Sequence, residues 1–378
     1  TIYAVAGAAR FYTYCTHLNI IGKIVNKDCG FPIHLDHGNY DFNICDNKVF
    51  GSTDARPVYW GGGIDVMGQN ASGLIGTGSV AATTAAFTAN SAIFDSSLVG
   101  ANISIAGAGA AGADLLTTIL AVADSTHCTL ATNASTTVVN ANFNIAGFPD
   151  RRGVIQGNYL SGSYKYGAAM RLGSSQDVIV DSNIFDQCLV ANVNDLNPID
   201  PATYTYNKLL FISARDVTPS NGVLSTNGPP RNITVSNNQA IPNGQGQVFC
   251  LVQTGSGSGA TTTAGTGLDV HDNTCLSLAA TQQFASLLDV NASSGGWSNI
   301  SVVNNRCSAV PYYDGTTRQL RGSCGFSGST GKTVNNISLI GNQLQFYNGT
   351  GVKGDGTGIQ SGIYFGAFCD NMLTAKNR

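Results

Sequence analysis

All 22 acidic side chains of this 378-residue chain are aspartate; there is no glutamate. Any acid–base chemistry that needs carboxyl groups must therefore use Asp. Cleaving a glycosidic bond takes two carboxyls, roughly 5–5.5 Å apart for retention or 6.5–9.5 Å for inversion. Asp289 and Asp314 are the leading pair, because Trp297, Tyr312, Tyr313, Arg318 and Arg321 crowd the same stretch. Trp and Tyr offer a flat apolar face beside a polar tip, which suits a sugar ring. Arg can clamp an acidic sugar's carboxylate through two hydrogen bonds. Asp181 and Asp216 form the reserve pair. An elimination mechanism would use instead a base and a carboxylate-neutralising group, with Arg321, Arg306, His271 or a tyrosine as candidates. Further outward candidates are His34, Asp36, Tyr59, Arg171, Tyr364, and the pair Asp269 and His271.

Such residues need a scaffold, and a recurring phrase supplies one. DFNICDN, GVIQGN, DVIVDSN, NITVSNN, LDVHDN, NISVVNN, NISLIGN and FGAFCDN end in Asn47, Asn158, Asn183, Asn238, Asn273, Asn305, Asn342 and Asn371. LNIIGK and IDVMGQ are earlier versions ending in Lys23 and Gln69. Apolar residues three and five places before the end mark a strand with one buried face. The Asn suits the closing turn, since its side chain bonds nearby backbone and tolerates left-handed conformations. A second short strand precedes each phrase: PIHLD, PVYW, AAMRLG, LLFISA, VFCLVQ, SLLDV, QLRGS, GIYF.

Repetition of one strand-and-turn unit marks a solenoid. Its closest spacings, such as Asn158 to Asn183, are too short for a helix-bearing repeat, and longer ones read as the same rung with loops inserted. The expected fold is all-β: a right-handed parallel β-helix of about ten rungs. Val180, Val235, Val270, Val302 and Leu339 should stack inward, with the terminal asparagines in a column at roughly 4.8 Å steps. Rungs are expected over 1–76 and 148–378, with a separate small β-module rich in Gly, Ala and Thr at 77–147.

Composition narrows the function. A net charge of −3 gives no basic footprint for nucleic acid and no polybasic membrane patch. Residues 98–123 are apolar, but Asp114 and the many Gly and Ala residues argue against a membrane span. Gly107, Gly109 and Gly112 form GxGxxG after a strand-like run, yet the acid expected about twenty residues later is missing. No CxxC pair or Cys/His cluster has zinc-ligand spacing, so neither cofactor nor metal is expected. The ten cysteines read as buried, reduced stacking residues, Cys275 and Cys307 both lying two after the Asn, Cys45 and Cys369 both two before. The chain opens at Thr1 with no signal pattern and no initiator Met, which reads as a processed or shortened start.

Within 77–147, the run VGANISIAGAGAAGADLLTTILAVADSTHCTLATNASTTV resembles a small β-module of phage tail proteins in the pectate-lyase-like superfamily. With the rung phrases, the chain resembles a bacteriophage tailspike or tail fibre. The family's Asp-Asp-Thr opening, attachment head and C-terminal trimerisation module have no counterpart in these residues. The resemblance implies a homotrimeric spike of the virion tail, associated with other tail or baseplate proteins. Its implied ligand is bacterial surface polysaccharide, recognised and in many members depolymerised. A secreted pectate-lyase-like enzyme and a non-catalytic β-helical appendage are the alternatives.

Overall fold

The computed structural model describes residues 9–13, 16–25, 32–51, 63–67, 74–145, 150–164, 168–190, 207–214, 216–217, 225–226, 230–242, 247–254, 264–276, 284–292, 295–309, 324–346, 363–366 and 368–378. It is a parallel β-helix whose rungs turn through three faces. On the asparagine face nine strands pair in parallel: Asn19–Ile21, Tyr40–Cys45, Arg151–Gln156, Gln176–Asp181, Arg231–Ser236, Gly265–His271, Trp297–Val303, Val334–Ile340 and Cys369–Ala375. Each runs on to a second face, seen in Lys48–Phe50, Tyr159–Tyr164, Ile184–Val190 and Gln239–Pro242. The third face holds Ile33–His37, Ile64–Met67, Met170–Gly173, Asn207–Ala214, Gln247–Thr254, Phe284–Asn291, Cys324–Ser327 and Ile363–Phe365.

Alternation fixes what each face buries. Val180, Val235, Val270, Val302 and Leu339 are register partners in one inward column, and all are buried. Leu210, Cys250, Leu288 and Cys324 form the matching column of the third face. On the second face Cys275 lies opposite Cys307, both sealed in the core. Every cysteine among the described residues is a free thiol.

The turn from the asparagine face to the second face has one form throughout. It is two residues long, the first left-handed and the second the ladder residue: Asp46 (φ 56°) then Asn47, Ser182 (φ 53°) then Asn183, Asn304 (φ 54°) then Asn305. Gly takes the left-handed place at 22, 157 and 341. From Asn158 on, each ladder Oδ1 accepts from both the backbone N–H and the Nδ2 of the Asn one rung earlier, as Asn273 does from Asn238 at 3.0 and 2.9 Å, while Asn47 accepts from the Lys23 N–H alone. Nδ2 also donates to an inward-strand carbonyl, Asn238 to Val180 at 3.0 Å. A polar side chain is thereby buried with its hydrogen bonds made, avoiding the desolvation penalty of an unpaired group.

Two of the phrases lie elsewhere. IDVMGQ belongs to the third face: Ile64–Met67 pairs with Ile33–His37 and Met170–Gly173. The last ladder residue is Asn377, which accepts from Asn342, and the last phrase is NMLTAKN. Asn371 instead stands at an outward left-handed position (φ 52°) and donates to Asn336. Cys45 and Cys369 are consequently not equivalent; Cys45 pairs with Gln156, Cys369 with Val334. PVYW and QLRG lie outside the described residues.

Between Ile64–Met67 and Arg151–Gln156 the chain makes a closed antiparallel barrel. Its strands are Leu74–Val80, Ala86–Ala89, Asn102–Ile105, Leu115–Val122, His127–Leu130 and Val138–Ile145. They enclose a core of their own, with Phe87, Phe94 and Phe143 in mutual ring contact. Gly107, Gly109 and Gly112 lie in or just before a single-turn 3-10 helix, Ala110–Gly112, followed by a strand, so the long helix whose N-terminus would hold a pyrophosphate is not formed here.

Candidate functional site

The third face carries an outward column in which His34, Asp65, Arg171, Phe211, Leu251, Asp289 and Gly325 follow one another rung by rung, with Tyr364 the register partner of Gly325. Alternation expects these positions to be solvated. Most are covered: His34 is 5% exposed, Asp65 0%, Phe211 7%, Leu251 3% and Asp289 1%. Phe211 and Leu251 join Ala168 and Val248 in a small apolar cluster outside the main core.

The charged end of this column is tightly paired. Arg171 Nε and a terminal guanidinium nitrogen donate to the two Asp65 oxygens at 2.7 and 2.6 Å, and His34 Nδ1 stands 3.8 Å from Asp65 Oδ2. Burial alone would push the Asp65 carboxyl up. The Arg171 charge and hydrogen bonds, with His34 behind them, outweigh it and hold Asp65 well below the usual carboxylate range. An acid so fixed cannot donate a proton near neutrality, so this group serves as a charged anchor.

The predicted sites fare unevenly. Trp297 is 1% exposed and belongs to the core, its ring over Gly265, where an added Cβ would lie 2.1 Å from the ring. It cannot be a sugar platform. It opens an asparagine-face strand in an inward register, opposite Gly265 and Val334. Asp289 does point away from the core, but it is buried rather than presented to solvent. Its proposed partner Asp314, with Tyr312, Tyr313, Arg318 and Arg321, lies outside the described residues. His34 and Arg171 are covered outward residues rather than exposed ones.

Asp181 accepts from Gln156, Ser182, Ser236 and Asn237 at 2.7–2.9 Å. Partial burial raises its carboxyl, and these four donors together lower it further than burial raises it. Asp181 is a fixed carboxylate, unsuited as the proton donor of a pair. Asp216 lies on a separate two-stranded sheet, Asp216–Val217 with Ser225–Thr226. Along the asparagine face His271 sits between Asp272, at 2.8 Å, and Asp269, at 3.8 Å, all three partly exposed. No group of three or more ligating side chains suited to a metal occurs among the described residues.

Sequence reasoning missed two arrangements. The Asp65–Arg171 pair was hidden because IDVMGQ read as an asparagine-face phrase. Tyr159 and Asp186, hydrogen-bonded at 2.5 Å, lie on the second face, whose strands follow the Asn and carry no repeating phrase. The only available signal was position: each stands a fixed distance beyond a ladder residue.

No family model matches the sequence, and none of the curated proteins does. Among solved structures the chain is similar to three phage tailspikes. The tailspike gp61 of Pseudomonas phage phi297 is 13% identical with a TM-score of 0.31, over 92% of this chain and 66% of that one. The tailspike gp49 of Pseudomonas phage LKA1 is 9% identical with a TM-score of 0.24, over 94% and 69%. The gp54 tailspike of Acinetobacter baumannii bacteriophage AP22, solved in complex with A. baumannii capsular saccharide, is 8% identical with a TM-score of 0.22, over 89% and 73%. The chain thus spans about two thirds of the length of the first of these.

Proposed function

We propose that this chain is the receptor-binding part of a phage tailspike-like protein that recognises polysaccharide on the bacterial surface. It would work as a homotrimer in the virion tail, beside other tail or baseplate proteins, outside the host cell. The observation that carries this reading is the inequality of the coil's edges. One edge is a two-residue turn on every rung, locked by the asparagine ladder. The length variation falls at the other two, with long connections such as those from Val190 to Asn207 and Ala309 to Cys324. A rigid shaft with connections of varied length at two of its edges is a scaffold for recognition, and a polymer running along the shaft can touch several rungs at once. The sequence resemblance of the inserted module to phage tail proteins supports the same reading.

The test is adsorption of the purified chain to a panel of capsular and O-antigen polysaccharides, with light scattering for assembly. Saturable binding to one polymer and a mass about three times 39.1 kDa are expected. Binding to none, together with no competition against phage adsorption, would sink the reading. Depolymerisation is the finer proposal, read as release of reducing or unsaturated ends. Because Asp289 is buried, Asp289→Asn is expected to leave adsorption unchanged; loss of sugar release in that variant would establish its part in cleavage.

A further inference from the structure

We infer a sugar subsite on the second face, formed by Phe50, Tyr159, Ile184 and Asp186, that holds one uncharged sugar residue of a glycan. The inference rests on the glycan-binding reading above and locates part of it away from the stretch around Asp289. All four side chains point outward, since their neighbours Val49, Leu160 and Phe185 fill the core. Phe50 and Tyr159 lie on adjacent rungs with ring centroids 6.0 Å apart and planes tilted by 58°, both half-buried. Ile184, opposite Tyr159 on the next rung, is 39% exposed. Such a run of ring and aliphatic surface left partly in water can receive the apolar face of a pyranose.

The polar side is equally arranged. The Tyr159 hydroxyl donates to Asp186 Oδ2 at 2.5 Å, and no hydrogen bond reaches Asp186 Oδ1 among the described residues. The hydrogen bond to Asp186, then burial, raise the Tyr159 hydroxyl above its ordinary value, so it keeps its proton and stays the donor. Tyr159 is therefore held in one orientation before any ligand arrives, while Oδ1 can accept from sugar hydroxyls. The strand Ile184–Val190 bulges just past Asp186 against both neighbours, with Gln187 at φ 49° and Gly162 at φ 90° beside it on Tyr159–Tyr164. Bulges of this kind re-aim side chains and gather near binding sites, and a left-handed Gln is a conformation that ordinary strand pairing does not require. The patch also lies at the ends of the strands from which the long connections leave, after Phe50 and Val190. A carboxylate at its centre favours neutral sugars and repels uronic acids.

Saturation-transfer NMR of the full chain with galactose, N-acetylglucosamine and glucuronate tests this directly. The two neutral sugars should receive saturation and glucuronate should not. Tyr159→Ser should weaken neutral-sugar binding about tenfold through loss of the ring face. Tyr159→Phe, which keeps the ring and the core, should weaken it less, and Asp186→Asn should let glucuronate compete. Equal binding by wild type and Tyr159→Phe, Tyr159→Ser and Asp186→Asn, or no transfer to either neutral sugar, overturns the subsite. Polymer adsorption retained by all three variants leaves the general reading standing without the subsite. Absence of polymer adsorption by wild type, with neutral sugars still bound at Tyr159, removes the general reading and keeps the subsite.

Discussion

The coil and the barrel bury apolar side chains by different rules. In the coil each inward residue stacks on its counterpart one rung away, so Val180, Val235, Val270 and Val302 see nearly identical neighbours. Stability is then a sum of similar layers, and a polar ladder fits because every Asn finds another Asn. In the barrel nothing repeats: Phe87 meets Phe94 and Phe143 edge to face, while Phe94 and Phe143 stack, within one closed wall. Closure removes the sheet edges that the coil keeps at its ends. The barrel also has no Lys or Arg between Leu74 and Ile145, and its Asp124–His127 pair is exposed, so ion pairs add little to its stability. The coil pairs Asp65 with Arg171 and Asp41 with Arg152 across the insertion. The lesson is that one chain can carry a layered and a closed core with no buried residue in common.

The largest break should come from Asn238→Ala. It strips the acceptor from Asn183 N–H and Nδ2 and the donor from the Val180 carbonyl, all inside the coil. A cost of about 3–5 kcal/mol is expected from these buried unpaired groups. Thiol labelling in a denaturant series reads the regions apart. Burial pushes Cys128 in the barrel up to about 12 and Cys275 in the coil well above its ordinary value, so each reacts only on opening. Cys275 should label at lower denaturant in the variant and Cys128 at an unchanged one; a joint shift would mean that the two cores unfold together.

Next come matched glycine substitutions. Gly265→Ala would set a Cβ 2.1 Å from the Trp297 ring, and Gly78→Ala would set one 2.4 Å from the Phe87 ring and 2.7 Å from the Thr88 carbonyl. Each should cost about 1–3 kcal/mol by overpacking, with the labelling shift confined to Cys275 or Cys128 respectively. Crossed shifts would contradict the independence of the cores.

Acid gives a smaller contrast. Asp65 has a lowered folded-state pKa, so its contribution is complete above the unfolded carboxylate range, near 4, and is lost as pH falls. At pH 3 the coil should have lost roughly 1 kcal/mol from this group, and Asp65→Asn should flatten that part of the acid profile. The barrel's Asp124 is lowered to about 2 by hydrogen bonds from Thr126 and His127, but it is exposed. The smallest effect is therefore Asp124→Asn, with Cys128 labelling expected to stay within error of wild type at pH 7.

Legibility differed from residue to residue. Val302 and Asn305 could be placed from sequence because alternation and a two-residue turn recur around them, and a one-residue slip would turn every side chain to the wrong face. Asn371 misled because an outward left-handed position near the start of the same strand also favours Asn, as Asn299 and Asn336 show. Trp297 was misplaced because a strand's first residue has no earlier alternation to reveal its face. Asp289 was assigned the correct direction and the wrong environment.

The sequence by itself determined the layered coil, its inward columns and its asparagine ladder except at IDVMGQ and at the last step. Those depend on local backbone preference and a period of two, both written in neighbouring residues. Only the tertiary structure decided which outward side chains meet water, that Asp65 meets Arg171 across an inserted barrel, and that Tyr159 meets Asp186. Period two assigns a side of the sheet, but accessibility depends on what the rest of the chain lays over that side. Partners 106 residues apart in one case and 27 in the other meet only after the rungs have stacked.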